Sequence, residues 1–348
     1  MRSNQLNSRT GKKLIAPLFY TGATLLIGVV IITCCSIGRY DVLFTDVLKA
    51  LANYLFGAKY AIEYNVYSAV IFMRLPRVLM AVLVGIALSL SGCVYQSVFN
   101  NKLISPDLLG VSEGGCVGAA FAILIGCSSI VMMLISFACG LIAVGLALLI
   151  PVLMRNKTNV SLVLSGIVVS AIFSSILGII KYTVDSLEKL EAITFWIMGS
   201  FARVTMQDVV IVAPIIIIAT TVLILLRHRI NIIALGRNEA QSLGVNFGII
   251  RIIVVVCATL LTACSTAICG TVSWVGLIVP HIARILVGPN NVKLVPMSLL
   301  LGGVMLPIID TLCRTLTINE IPISILTAAF GAIVFCCILI KKGRNISD

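Results

Sequence analysis

Apolar and polar positions come in blocks along this chain, long apolar runs cut by short polar passages. Ten runs can be marked, at about residues 14–36, 78–98, 108–127, 130–153, 160–181, 207–226, 252–269, 275–287, 294–312 and 322–340. Most approach the ~20 residues that a helix rising about 1.5 Å per residue needs to cross about 30 Å of hydrocarbon. The pattern predicts an all-α polytopic membrane protein of about ten transmembrane helices, one continuous domain over residues 1–348. Two polar segments are too long for simple turns. Residues 38–73 predict a short amphipathic helix around Val42–Phe56 plus a connection. Residues 182–206, with Phe195-Trp196-Ile197, predict a partial helix leaning into the bilayer, its Trp at interfacial depth.

The longest polar passage between the two ends runs from Arg227 to Arg251. Within it, Leu235-Gly236 and Leu243-Gly244 bracket a short helical phrase, Arg237 to Ser242. Glycine at each end suits a stop and a sharp turn, where positive φ costs it little. A connection between spans needs only a few residues, so two glycine-bounded pieces predict a loop built to be touched. The plainer reading is a basic loop that only fixes orientation.

Composition sharpens the class. The chain is 60% hydrophobic and 11% charged, against about 25% charge in soluble proteins, and its mean hydropathy is +1.15. The net charge of +12 could suggest nucleic acid, but the basic residues cluster at span ends. Sorted by the ten-span topology, 16 of the 25 fall on the side of the N- and C-termini, and most acids fall on the other. The positive-inside bias then sets both termini in the cytoplasm of a cell-membrane protein, with lipid around it and no nucleic-acid partner. The stretch before Leu14 resembles a signal n-region, but the run to Ile37 is too long for a typical signal peptide and reads as a first span.

Chemistry is sparse. The twelve cysteines form no C-x-x-C pair and no spacing with histidine suited to zinc, so they read as small apolar fillers and no metal site is expected. His228 lies between two arginines in a solvated loop, and His281 follows Pro280 inside a span as a packed residue. No phosphate-cradling G-x-x-x-x-G-K-[ST] is present. Asp107, Glu113, Asp208 and Asp310 sit at or near span ends, so no ladder of buried carboxylates offers ion coupling. A membrane enzyme is disfavoured, and a secondary transporter less strongly. Gly85 to Gly92 and Gly276 to His281 mark spans whose small residues allow close approach and broken helices, a transporter habit. Leu90-Ser-Gly92 through Gln96 echoes Ile268-Cys-Gly270 through Trp274, as in an inverted repeat. On the outer side, Arg74, Arg77 and Arg314 oppose the charge rule. They read either as snorkelling anchors or as a docking surface for an acidic partner.

Several stretches together carry a resemblance. They are Arg74-Leu-Pro-Arg77, Gly85 to Gln96 with Ser105 to Gly110, and Trp196-Ile-Met-Gly-Ser200. Leu235-Gly236 with Ala240 to Val245 follows, then Gly270 to Gly288, Asp310 to Arg314 and Glu320-Ile-Pro322. Over nearly its whole length the chain resembles the permease subunits of binding-protein-dependent ABC importers for iron–siderophore, haem and cobalamin, the FecCD-type or type II importers.

The resemblance implies a pair of permeases, identical or not, with the cargo path at their interface. It implies a dimer of cytoplasmic ATPases gripping Leu235, Gly236, Arg237, Glu239, Ala240, Leu243 and Gly244. It implies an extracytoplasmic binding protein docking through glutamates onto Arg74, Arg77 and Arg314. A cytoplasmic gate is implied at Asn101, Lys102 and Leu103 and near Asn159 and Val160. The permease itself would hold no cofactor and make no bonds, ATP being used by the partner subunit. The chain departs from the family pattern at Lys102 and Ile333, where proline is usual, at Ser324, where glycine is usual, and at Trp274, where phenylalanine is usual. Glu113, where small polar residues are commoner, is expected to bear on the path.

Overall fold

The computed structural model describes residues 21–154 and 159–344. The basic N-terminal residues Arg2 to Lys13, together with Arg155 and Lys157, lie outside the described residues. The described chain is helical throughout: α1 (Thr21–Ser36), α2 (Phe44–Phe56), α3 (Tyr64–Ser68), a π turn (Ala69–Arg74) and α4 (Leu75–Val98). A 3-10 turn (Pro106–Leu109) precedes α5 (Val111–Leu124), α6 (Ser129–Leu153), α7 (Asn159–Thr183) and α8 (Leu187–Ile197). Then come α9 (Met206–Ala234), α10 (Arg237–Ser242), α11 (Phe247–Cys269), α12 (Val275–Val287), α13 (Asn291–Thr315) and α14 (Ile323–Arg344). Among the described residues six helices are long and apolar enough to cross a membrane. Four shorter apolar helices, α1, α5, α12 and the first turns of α14, stand at the other expected spans. The two partial helices expected between spans are α2 and α8.

The span expected at 78–98 begins much earlier. α3, the π turn and α4 run on as one 35-residue helix, Tyr64–Val98. The polar residues Tyr64 and Asn65 mask that start in the sequence.

α4 is the axis of the molecule, with 83% of its apolar window buried. Its buried face is made of small residues because backbones press on it from two sides. A Cβ on Gly85 would collide with the carbonyl of Gly302 in α13, and one on Gly92 with the carbonyl of Gly276 in α12. Hydroxyls join α4 to α11: Ser91 Oγ lies 2.8 Å from Thr262 Oγ1, and Tyr95 Oη 2.8 Å from Thr259 Oγ1. Without a hydrophobic force between helices in lipid, close packing and such bonds hold the core, each bond contributing about 0.6–2 kcal/mol. α6, α7 and α9 bury only a third or less of their windows and show Ile, Leu and Val outward.

The two members of the sequence echo fold differently. Gly92 sits inside α4, whereas Gly270 ends α11 at φ +73°. Gly270 lies against Gly199, itself at φ +79°. The loop after α8 is tied there: Ser200 N–H donates to the Cys269 carbonyl at 2.9 Å, and Ile323 N–H to the Gly199 carbonyl at 3.0 Å. That close backbone approach is why the Trp196 to Ser200 stretch carries its glycine. Trp274 opens α12 at φ +69°, uncommon for a bulky side chain. Its side chain lies against Gly331, and its ring meets Phe335 edge-on. His281 packs edge-on against the same Phe335.

Candidate functional site

The expected site residues fall at two ends of the helices. At one end α9 leads into α10. The polar passage from Arg227 is not loop from its start, because α9 continues to Ala234 and α11 begins at Phe247. The Ile230, Ile232 and Ile233 positions extend the helical period beyond Arg227 and Arg229, and Ile230 and Ile233 are buried. The true connection is Leu235 to Asn246, with α10 at its centre.

α10 is a self-contained turn. Gly236 caps its start at φ +122°. Glu239, in the first turn, folds its carboxylate back over Gly236 and complements the helix dipole. At the other end Val245 N–H donates to the Ala240 carbonyl at 2.9 Å and Gly244 N–H to the Gln241 carbonyl at 3.0 Å. This is a Schellman cap, with Gly244 at φ +72° as it requires. Ala240 is fully buried against the helices above, whereas Leu235 and Leu243 are 63% and 59% exposed and Arg237 is exposed. A rigid, capped turn thus presents two leucines flanking charged residues.

The turn expected to form the gate follows α4. Asn100 adopts φ +50°, and the Leu103 N–H donates to Asn101 Oδ1 at 3.0 Å. The side chain of Asn101 thereby supplies a turn constraint where the family pattern uses proline, and Lys102 and Leu103 stand exposed. Asn159 and Val160 open α7, with Val160 75% exposed. The 3-10 turn that follows the first stretch packs against α7: the Leu108 carbonyl sits where a Cβ on Gly166 of α7 would be.

Between gate turn and α10 lies a groove of about 440 Å³ that the sequence did not flag. Its walls include Gln96, Ser97, Lys102, Asn231, Leu235, Arg284 and Asn290. Arg284 donates twice to Gln96 Oε1 at 3.1 Å. Neutral amides spaced far apart in sequence leave no motif, and only their placement at helix ends could have hinted at them.

At the opposite end, Arg74, Arg77 and Arg314 depart from the expected exposed surface. Arg74, Arg77 and Arg314 are only 6%, 8% and 7% exposed. Arg77 forks onto Asp310, with Nε and Nη2 both at 2.9 Å from carboxylate oxygens, and reaches Glu320 Oε1 at 2.8 Å. Arg74 donates to the carbonyls of Cys35 at 2.8 Å and Ser36 at 3.0 Å, and Arg314 donates to Cys34. These are the orphan carbonyls at the end of α1, where cations are also favoured by the helix dipole. These three positive charges therefore act as structural caps and an ion pair within this chain. Beside them a cavity of about 380 Å³ is lined by Phe195, Trp196, Arg203, Asp208 and Glu320.

Comparison with known proteins decides the lineage. Residues 25–341 match the model of the FecCD transport family. The chain belongs to this family. FecCD relatives include the molybdate import system permease protein MolB of Haemophilus influenzae, 35% identical over 331 residues, 94% of this chain and 97% of the relative. An iron chelatin transport system permease protein of Helicobacter pylori is 38% identical over 269 residues, 77% of this chain and 81% of the relative. A solved structure, described as an inward-facing conformation of a metal-chelate type ABC transporter, superposes with a TM-score of 0.83 at 34% identity. It covers 93% of this chain and 99% of its own. This FecCD chain is therefore an ABC importer permease, a multi-pass, non-catalytic membrane subunit, and ATP hydrolysis belongs to a partner ATPase. A second permease is implied with it.

Proposed function

We propose that this permease carries an iron–siderophore complex inward across the cytoplasmic membrane by alternating access, with both termini in the cytoplasm. The observation that carries the coupling part is α10: a capped turn, Leu235 to Gly244, docked by Ala240 and showing Leu235, Leu243 and Arg237 outward. The ATPase dimer grips this turn, and ATP binding shifts it and the gate residues Asn101, Lys102, Leu103, Asn159 and Val160. An extracytoplasmic binding protein docks on the face organised by Arg74, Arg77 and Arg314. Because the donors of Arg77 are already committed to Asp310 and Glu320, its part in docking is to hold that face in shape.

The cargo reading is supported by the iron chelatin relative and the metal-chelate structural match. A second reading, a molybdate-type oxyanion, is supported by the 94% coverage of MolB. Haem and cobalamin stay in the panel as bulky chelates of the same kind. The test is uptake of radioactive iron in several siderophores and in haem, of labelled cobalamin and of labelled molybdate, with and without the gene. Loss of ferric-siderophore uptake alone, restored by wild type but not by Glu239→Arg, is the expected result. Loss of molybdate uptake alone would replace the cargo, and uptake restored by Glu239→Arg would overturn the coupling.

A further inference from the structure

The groove at the α10 end holds a chain of neutral hydrogen bonds whose polarity is fixed from outside. The backbone N–H of Asn291 donates to Asn231 Oδ1 at 2.8 Å. That sets the amide of Asn231, so its Nδ2 must point the other way, and it donates to Asn290 Oδ1 at 2.8 Å. Asn290 Oδ1 is held as an acceptor by the backbone N–H of Val292 at 2.9 Å. Asn291 is 3% exposed, and its Oδ1 accepts from Ser97 Oγ at 2.8 Å. Asn231 lies in the last turns of α9, four residues before Leu235. Ser97 is one residue from the end of α4 and four before Asn101. The single Ser97 hydroxyl proton is shared between Asn291 Oδ1 and the Cys93 carbonyl, 2.9 Å away, whereas reversing the amide of Asn231 or Asn290 breaks two bonds at once.

We infer that Asn231 is a positioning residue for transport: it latches the stem of the coupling turn to the start of α13, and through Asn291 and Ser97 to the end of α4 that carries the gate turn. The inference rests on the coupling reading above and names the route it takes. Neutral amide bonds suit that task. Each contributes about 0.5–1.5 kcal/mol net, enough to set register and small enough to break and re-form in a cycle. The route is contiguous, but contiguity alone does not establish coupling, so the test must read both ends separately.

The experiment uses the permease with its ATPase and binding protein in lipid vesicles, with Leu103→Cys as a reporter. ATP hydrolysis and maleimide labelling at position 103, read by peptide mass spectrometry, are measured with and without nucleotide. With Asn231→Ala, hydrolysis is expected to stay within twofold, while the nucleotide-dependent change in labelling falls about tenfold, the scale of one to two lost hydrogen bonds. Asn290→Ala is expected to do the same, and the double variant no worse, as for groups acting as one unit. An undiminished labelling response in Asn231→Ala, or a proportional loss of hydrolysis and response, would overturn the latch. Should Asn231→Ala fail to assemble, Ser97→Ala carries the test, since it removes one hydroxyl from the far end of the chain. A Glu239→Arg complex that hydrolyses ATP and responds like wild type would sink the coupling reading instead, so the two failures can be told apart.

Discussion

The arginine end and the α10 end of this molecule solve opposite problems with different chemistry. At the arginine end formal charges are buried and locked: Arg77 is forked onto Asp310 and Glu320, and Arg74 and Arg314 are spent on the carbonyls closing α1. At the α10 end the charges of Arg237 and Glu239 face outward, and the internal links run through neutral amides, the Arg284 guanidinium among them donating to Gln96. A buried ion pair is costly to break once made, because the surviving partner is left unpaired out of water. An amide bond exchanges cheaply. Buried ion pairs stand where the frame must not open, and bonds to neutral amides where the coupling reading needs movement.

The sharpest way to break this contrast is Arg77→Ala. It strands Asp310, which is 1% exposed, and frees Glu320, so the fold is expected to lose about 3–5 kcal/mol. The denaturation midpoint of the detergent-purified permease reads the loss, and Arg77→Lys is expected to recover only part, because an ammonium cannot reproduce the fork. A midpoint unmoved by Arg77→Ala would mean the cluster is ornament. Next in size is Gly92→Ala. Helix propensity alone favours alanine by about 1 kcal/mol. Here the new Cβ meets the Gly276 carbonyl, a backbone atom that cannot rotate away, so a net loss of about 1–3 kcal/mol is expected. The sign of that shift decides whether α4 is packed as tightly as described.

What could be read from sequence follows the same division. The ten apolar runs were legible because hydrocarbon demands unbroken apolar length, and α10 because two glycines bound it. The start of the long helix at Tyr64 was not, since π and polar turns carry no apolar period. Arg77 was visible as an anomaly of charge, but its purpose was not. Asp310 lies 233 residues away and Glu320 further still, and no local spacing joins them. The amide latch was invisible for the same reason: Asn231, Asn290 and Ser97 are ordinary residues until helix ends bring them together.

At the α10 end the stability effects shrink while the functional ones grow. Glu239→Arg sits on an exposed turn and reverses one favourable charge at the start of α10, so its stability change is expected within about 1 kcal/mol. Uptake in whole cells is expected to vanish all the same. If its midpoint instead fell as far as that of Arg77→Ala, α10 would be part of the frame, and the contrast between the two ends would collapse.

The smallest expected effect tests how the gate turn keeps its shape without proline. Lys102 lies between Asn101, whose side chain accepts from Leu103 N–H, and Leu103 itself. No hydrogen bond from the Lys102 backbone N–H is among those described, so proline there sacrifices none. Restricting the unfolded chain then favours Lys102→Pro by up to about 1 kcal/mol, provided the turn already holds the backbone that proline requires. Proline also bars its predecessor from the helical region, and Asn101 follows Asn100 at φ +50°, where the chain has already left α4. A small rise in the denaturation midpoint would mean that Asn101 and proline are two means to one turn. A fall would mean that Lys102 holds a backbone shape of its own, and that the expected gate starts from a different turn than the family pattern implies.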